Sequence, residues 1–188
     1  IERVSDVFLT KTFYAILISI VTGIFAIEFP FLPRHLSLVA ALSIGIPGFF
    51  MALMPNTERF RPGFFRRVVL FSAPAGLIAG TSALTSFLIA KSVGESVLSA
   101  QSAATTTLFI VATAVLMQSA RPLNLIRISI VIAMVICYVG VLVIPWLSDF
   151  FALSLGPERY SVIAVVVGLV GAVLVWVATI VTDRWRRA

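Results

Sequence analysis

Charge is scarce in these 188 residues: Asp, Glu, Lys and Arg make up only 12% of the chain, about half of what an ordinary soluble domain carries. Reactive side chains are scarcer still. Cys137 is the single cysteine, so intramolecular disulfides are excluded and CxxC metal sites are absent. His35 is the single histidine and falls at the edge of an apolar run, where a lone imidazole is ordinarily solvated, so it is assigned no metal role. No glycine-rich phosphate loop, no paired carboxylates and no nucleophile with a base partner occur anywhere. Taken alone, the chain has no visible means of catalysis.

What fills the space is hydrocarbon. The chain is 60% hydrophobic, with a mean hydropathy of +1.11, which marks an integral membrane protein. It begins at Ile1 rather than Met, and no basic, apolar and small-residue signal pattern precedes the first apolar run. The expectation is therefore a part of something longer. Six apolar segments can be marked, at about residues 7–27, 36–54, 68–90, 102–120, 126–147 and 161–182, and they read as one transmembrane domain. Only Lys11 and Arg127 lie within them as charges, each close enough to an end to snorkel.

Six spans put both termini on one side of the membrane, and the basic residues then sort sharply. Of the 14 Lys and Arg, only Arg34, Lys91 and Arg159 fall opposite the termini; the other eleven share the terminal side. The positive-inside rule predicts that both termini are cytoplasmic. The net charge of +6 is thus topological, and a nucleic-acid partner drops out.

The stretch that organises the rest is Leu36 to Asn56, LSLVAALSIGIPGFFMALMPN. It has the length of a span, but its middle, Ser43-Ile44-Gly45-Ile46-Pro47-Gly48, is poor helix material. Pro47 has no N–H and its ring pushes against the carbonyl of Ser43. A carbonyl freed near the bilayer centre needs another helix, a water or a cation. Broken helices at that depth build cation sites in many transporters. Two readings stand open: a packed proline kink, or an ion site on the Ser43 carbonyl. The fold expected is an all-α membrane bundle of six spans, its second helix broken near mid-membrane at 43–48.

The first segment carries Thr12, Ala15, Ser19, Thr22 and Ala26 on one helical face. Such a face is ordinarily a packing seam; it also suits a helix lining an ion path, which makes Ser19 and Thr22 candidates. Glu28 follows as an interfacial carboxylate expected near Arg34, with ion exit as the alternative. The basic and aromatic NTERFRPGFFRR stretch suits anionic lipid or a cytoplasmic domain. Gly76-x-x-x-Gly80 is a small-residue packing pattern, and Thr105, Thr106 and Thr107 can bond back to their own helix. Ala164, Gly168 and Ala172 repeat small residues in the last segment, before a basic stop, Asp183-Arg184-Trp185-Arg186-Arg187.

At this point a resemblance enters. Phe8-Leu9-Thr10-Lys11-Thr12, Glu28-Phe29-Pro30-Phe31-Leu32-Pro33, Ser43 through Phe50, Met54-Pro55-Asn56, and Arg61-Pro62-Gly63-Phe64 with Arg66-Arg67 resemble the second half of the membrane domain of P-type cation-transporting ATPases. The likeness is to an actinobacterial branch with a mycobacterial calcium-transporting member. Beyond Val69 only the number and spacing of spans agrees. The resemblance implies that these are the fifth to tenth membrane helices and that the first two carry part of the ion site. It also implies that the earlier membrane helices, and the cytoplasmic domains that use ATP and Mg²⁺, lie elsewhere in the longer protein. Better-known calcium pumps place Asn, Thr and Asp before the Gly-Leu-Pro of the sixth helix. Aligning on Pro47 puts Ala40, Ser43 and Ile44 there, so only a hydroxyl survives. A self-contained six-helix channel or carrier, and a membrane scaffold without transport, are the rival classes.

Overall fold

The computed structural model describes residues 2–53, 63–121, 123–153 and 159–187. Every regular element among them is helical. In chain order these are α1 (Glu2–Phe25), α2 (Pro33–Ala40), a π-helical turn (Ala41–Gly45), α3 (Ile46–Leu53), α4 (Phe64–Ser92), α5 (Val97–Ser119), α6 (Leu125–Val143), α7 (Pro145–Phe151) and α8 (Arg159–Arg187). Six helical runs are long and apolar enough to cross a membrane: α1, the continuous α2–α3 run, α4, α5, α6 and α8. Met54-Pro55-Asn56 and most of the NTERFRPGFFRR stretch lie outside the described residues, as do the side chains of the basic stop at 183–187 and of Arg159.

Helix ends follow local chemistry. Ser96 Oγ accepts the Ser99 N–H at 3.1 Å to start α5, and Asn124 Oδ1 accepts the Arg127 N–H at 2.9 Å to start α6. Ile144 is extended ahead of Pro145, as a residue before proline tends to be. The fifth apolar segment therefore divides into a spanning helix and the short α7. At 29 residues, α4 is about 44 Å long, well beyond the roughly 30 Å of hydrocarbon.

The core is the triangle of α4, α5 and α8, with α1 laid along α4 and α6 at the margin. Small residues let the central helices touch. Ala75, Ala79 and Ala83 on α4 and Ala100, Ala103 and Ala104 on α5 are buried. A Cβ on Gly76 would lie 2.5 Å from Phe13 Cβ and 2.8 Å from the Thr10 carbonyl, so the Gly76/Gly80 pattern is the seat of α1. Gly171 does the same for α8, where a Cβ would come within 2.6 Å of Ser82 Oγ. Thr107 joins α5 to α8 directly, donating to the Ala164 carbonyl at 3.1 Å. Thr105 and Thr106 do bond back within α5, at 2.7 and 3.0 Å. Thr106 also meets the Tyr138 hydroxyl at 3.0 Å, and Tyr138 stacks on Phe109; these contacts hold α6.

Three sequence expectations need correction. Thr12, Ala15 and Ser19 on α1, and Ala26 just beyond it, are exposed in this chain and only Thr22 is buried; the face packed on α4 instead carries Thr10, Tyr14 and Ile18. The seam is set by where the α4 glycines admit α1, which α1 alone does not encode. Glu28 pairs with Lys91 at 2.6 Å, while Arg34 donates to the Phe150 carbonyl at 2.9 Å. His35 is not solvated: it is 0% exposed, covered where α2, α5 and the end of α7 converge.

Candidate functional site

The irregularity in the second span is there, but as one wide turn rather than an unwound strand of chain. Over Ala41–Gly45 the helix widens to π geometry, and the Ile46 N–H donates to the Ala41 carbonyl, five residues back. Pro47 follows one residue later, inside α3. The two are physically linked. A proline needs room where an α-helix would pack its ring against the carbonyl four residues earlier, and a π turn shifts that register by one residue. The helix thus goes on past Pro47 without losing direction, and such turns recur at functional positions.

Ser43 sits at the centre of the turn and is 2% exposed. Its hydroxyl donates to the Val39 carbonyl at 2.6 Å, so its proton is committed to its own helix while the oxygen keeps lone pairs. Beside it lies a cavity of about 10 Å³, lined by Val7, Thr10 and Tyr14 of α1, Ser43 and Ile44, Ala79 of α4, and Ala112 and Val115 of α5. That is room for about one water-sized species. Four helical runs converge there, and the oxygen-bearing side chains facing it are those of Thr10, Tyr14 and Ser43.

Ser19 and Thr22 are not brought to this place. Thr22 lies eight residues beyond Tyr14 along α1, about 12 Å at helical rise. Its hydroxyl is taken by the Ile18 carbonyl at 2.8 Å, and Ser19 is exposed. What sequence reasoning missed is the other polar set on α1. Thr10 Oγ1 donates to the Asp6 carbonyl at 2.7 Å, and Ser72 Oγ on α4 donates to the same oxygen at 2.9 Å. Asp6 is 8% exposed and lies within the first span, Val4–Phe25. A segment begun at Val7 leaves it out by one residue. The signal was available: Asp6, Thr10 and Tyr14 are spaced four apart, the interval that stacks side chains on one helical face.

Among the described residues, no group of three or more His, Cys, Asp or Glu is placed to hold a metal ion. Any ion held here would therefore rest on hydroxyls, backbone carbonyls and water, with further ligands from outside these helices. Ca²⁺ usually takes six to eight oxygens.

No protein-family model matches the chain. Among curated proteins, it is 36% identical over 205 aligned residues to the calcium-transporting ATPase CtpE of Mycolicibacterium smegmatis, covering 100% of this chain and 26% of that protein. The calcium-transporting ATPase CtpE of Mycobacterium bovis is 37% identical over 202 residues, again across 100% of this chain and 25% of the relative. The Mycobacterium tuberculosis protein of the same name is 36% identical over 202 residues. The chain spans about a quarter of the length of the curated relatives it matches.

Proposed function

We propose that this chain, 36–37% identical along its whole length to part of proteins named calcium-transporting ATPases, forms the C-terminal portion of the transport domain of an ATP-driven cation pump of the P-type family. Its six spans stand for the fifth to tenth membrane helices and act as one unit, with both termini on the cytoplasmic face. The observation that carries this reading is identity of 36–37% over the whole chain to proteins named calcium-transporting ATPases. Six apolar helices and bacterial relatives agree with a multi-pass bacterial membrane protein. The eleven-to-three division of basic residues supports the orientation.

Calcium is the cation proposed, by analogy with the relatives' names. The part of its path contributed here runs through the π turn: the Ser43 carbonyl and the hydroxyls of Thr10 and Tyr14 supply oxygens, and Pro47 maintains the irregular turn. Ser19 and Thr22 belong to the approach along α1 rather than to the same shell. Remaining oxygens come from the earlier membrane helices of the longer protein, and the surrounding partner is lipid. ATP and Mg²⁺ act in its cytoplasmic domains, through groups that this chain lacks.

The test uses the longer protein and this chain side by side. The full-length protein should hydrolyse ATP in a cation-stimulated, vanadate-sensitive manner and form a phosphoenzyme. The 188-residue chain alone should hydrolyse none. ATP hydrolysis by the isolated chain, or a full-length protein without a phosphoenzyme, would remove the basis for the proposal.

A further inference from the structure

Both ring nitrogens of His35 are engaged. The Leu32 N–H donates to Nδ1 at 3.2 Å, and Nε2 lies 3.3 Å from the Ala152 carbonyl. A nitrogen that receives an N–H carries no proton itself, so the ring proton sits on Nε2 and is donated to Ala152. The arrangement needs neutral imidazole. A charged ring donates from both nitrogens, and Nδ1–H would then face the Leu32 N–H. The positive charge would also lie in the first turn of α2, where the helix dipole opposes it, in a position with no exposure to water.

The two bonds join elements distant in sequence. One closes the first turn of α2, as the Leu32–His35 cap. The other holds the residue that ends α7, Ala152, in the left-handed conformation at φ 49°, and Ser102 Oγ on α5 reaches the same carbonyl at 3.4 Å. We propose that His35 is an acid-sensitive latch, neutral and closed above the imidazole range: protonation turns Nδ1 into a donor and breaks the Leu32 bond, the charged ring leaves its unhydrated position, and its departure also frees the Ala152 carbonyl at the end of α7.

The charged groups on the surrounding elements do not stabilise the protonated ring. Arg34 adjoins it on α2 and opposes a second positive charge. Glu28 is paired with Lys91. Glu95 lies on the α4–α5 turn, Asp149 lies on α7, and α5 carries no charged residue at all. Among the described residues, no carboxylate is paired with His35. The consequence reaches inward and outward. Ser43 lies eight residues along the same helical run, about 12 Å away, and α7 exposes Trp146 and Phe150, aromatics of the kind enriched at membrane interfaces. The latch does not depend on the pump reading.

Hydrogen exchange read by mass spectrometry on the full-length protein in lipid nanodiscs tests it, at about pH 8 and about pH 5, either side of the ordinary imidazole value of about 6.5. After correction for intrinsic rates, acid should speed exchange about tenfold in peptides covering residues 30–38 and 145–153, with the α4–α5 core unchanged as the internal reference. In His35→Gln the two segments should exchange alike at both values. No acceleration in the unmodified protein, or acceleration shared evenly by the core, overturns the proposal without need of the variant. Equal acceleration in His35→Gln does so as well.

Discussion

Replacing Pro47 by alanine separates a structural from a functional reading of the π turn, because only the functional one predicts weaker cation activation without a loss of stability. The substitution restores an N–H four residues after Ser43 and removes the ring that keeps the helix from tightening. Proline in a helix interior costs about 3 kcal/mol relative to alanine. Against that, Pro47 is buried, and losing two ring methylenes from a packed site forfeits about 1.6 kcal/mol at roughly 0.8 each. At most about 1.4 kcal/mol then favours the variant, so its thermal midpoint should hold or rise. Cation activation should move the other way. An α turn recaptures the Ser43 carbonyl, and the alignment with better-known pumps leaves only Ala40 and Ile44 as replacements. The half-activating calcium concentration of the full-length protein should rise at least tenfold, about 1.4 kcal/mol. Ser43→Ala should cost less, since its hydroxyl is already committed to Val39 and the carbonyl stays. The measurements are ATP hydrolysis against calcium concentration and thermal unfolding, on the same preparations. An unshifted half-activating concentration with a normal maximal rate in Pro47→Ala would show that the turn only shapes packing and that the ion site lies elsewhere.

Two further expectations concern architecture. Gly76→Leu places carbon where even a Cβ comes within 2.5 Å of Phe13, and should destabilise the protein by about 1–3 kcal/mol through overpacking. Gly23→Leu, where a Cβ would meet nothing within 4 Å, should leave the thermal midpoint in place; equal effects at the two sites would refute the α1–α4 seat. For topology, with Cys137→Ser as background, Ser92→Cys should react with impermeant reagents in intact cells, and Leu125→Cys, which is highly exposed in the structure, should be shielded. The reverse pattern would invert the orientation.

The spans were legible because length and apolarity alone define them, and the odd turn was legible because proline and two glycines contradict the apolar run around them. What stayed hidden was which face of each span turns inward. In a soluble helix the polar face announces the outside; in lipid both faces are apolar and that signal disappears. The stripe of small residues on α1 has the spacing of a seam but is not the face packed on α4, because that contact is dictated by Gly76 and Gly80 on another helix. His35 is obscured for a related reason. An imidazole at a span edge is solvated unless neighbours distant in sequence cover it, and Ala152 and Ser102, which do so, are 117 and 67 positions away. Asp6 falls outside a boundary drawn at the first continuous apolar residue, although a buried carboxylate can lie within the first turns of a span. For Glu28, the nearest basic residue in sequence is Arg34, but the nearest in space is Lys91.

The triangle of α4, α5 and α8 bears on how the protein is made. Two of its sides are synthesised early and the third comes last, after α6 and α7 have emerged from the ribosome. Until then Thr107 has no Ala164 carbonyl to bond, and Ser82 has no glycine pressed against it. A nascent chain that has reached only α6 therefore holds a hairpin of α4 and α5 with hydroxyls open to lipid. Those groups need shelter, given by the insertion machinery or by lipid-borne water, until α8 arrives. Insertion of α8 is then the step that closes the core, and Gly168 and Gly171, which seat it against Ile110, Ser82 and Val111, set how closely it can close.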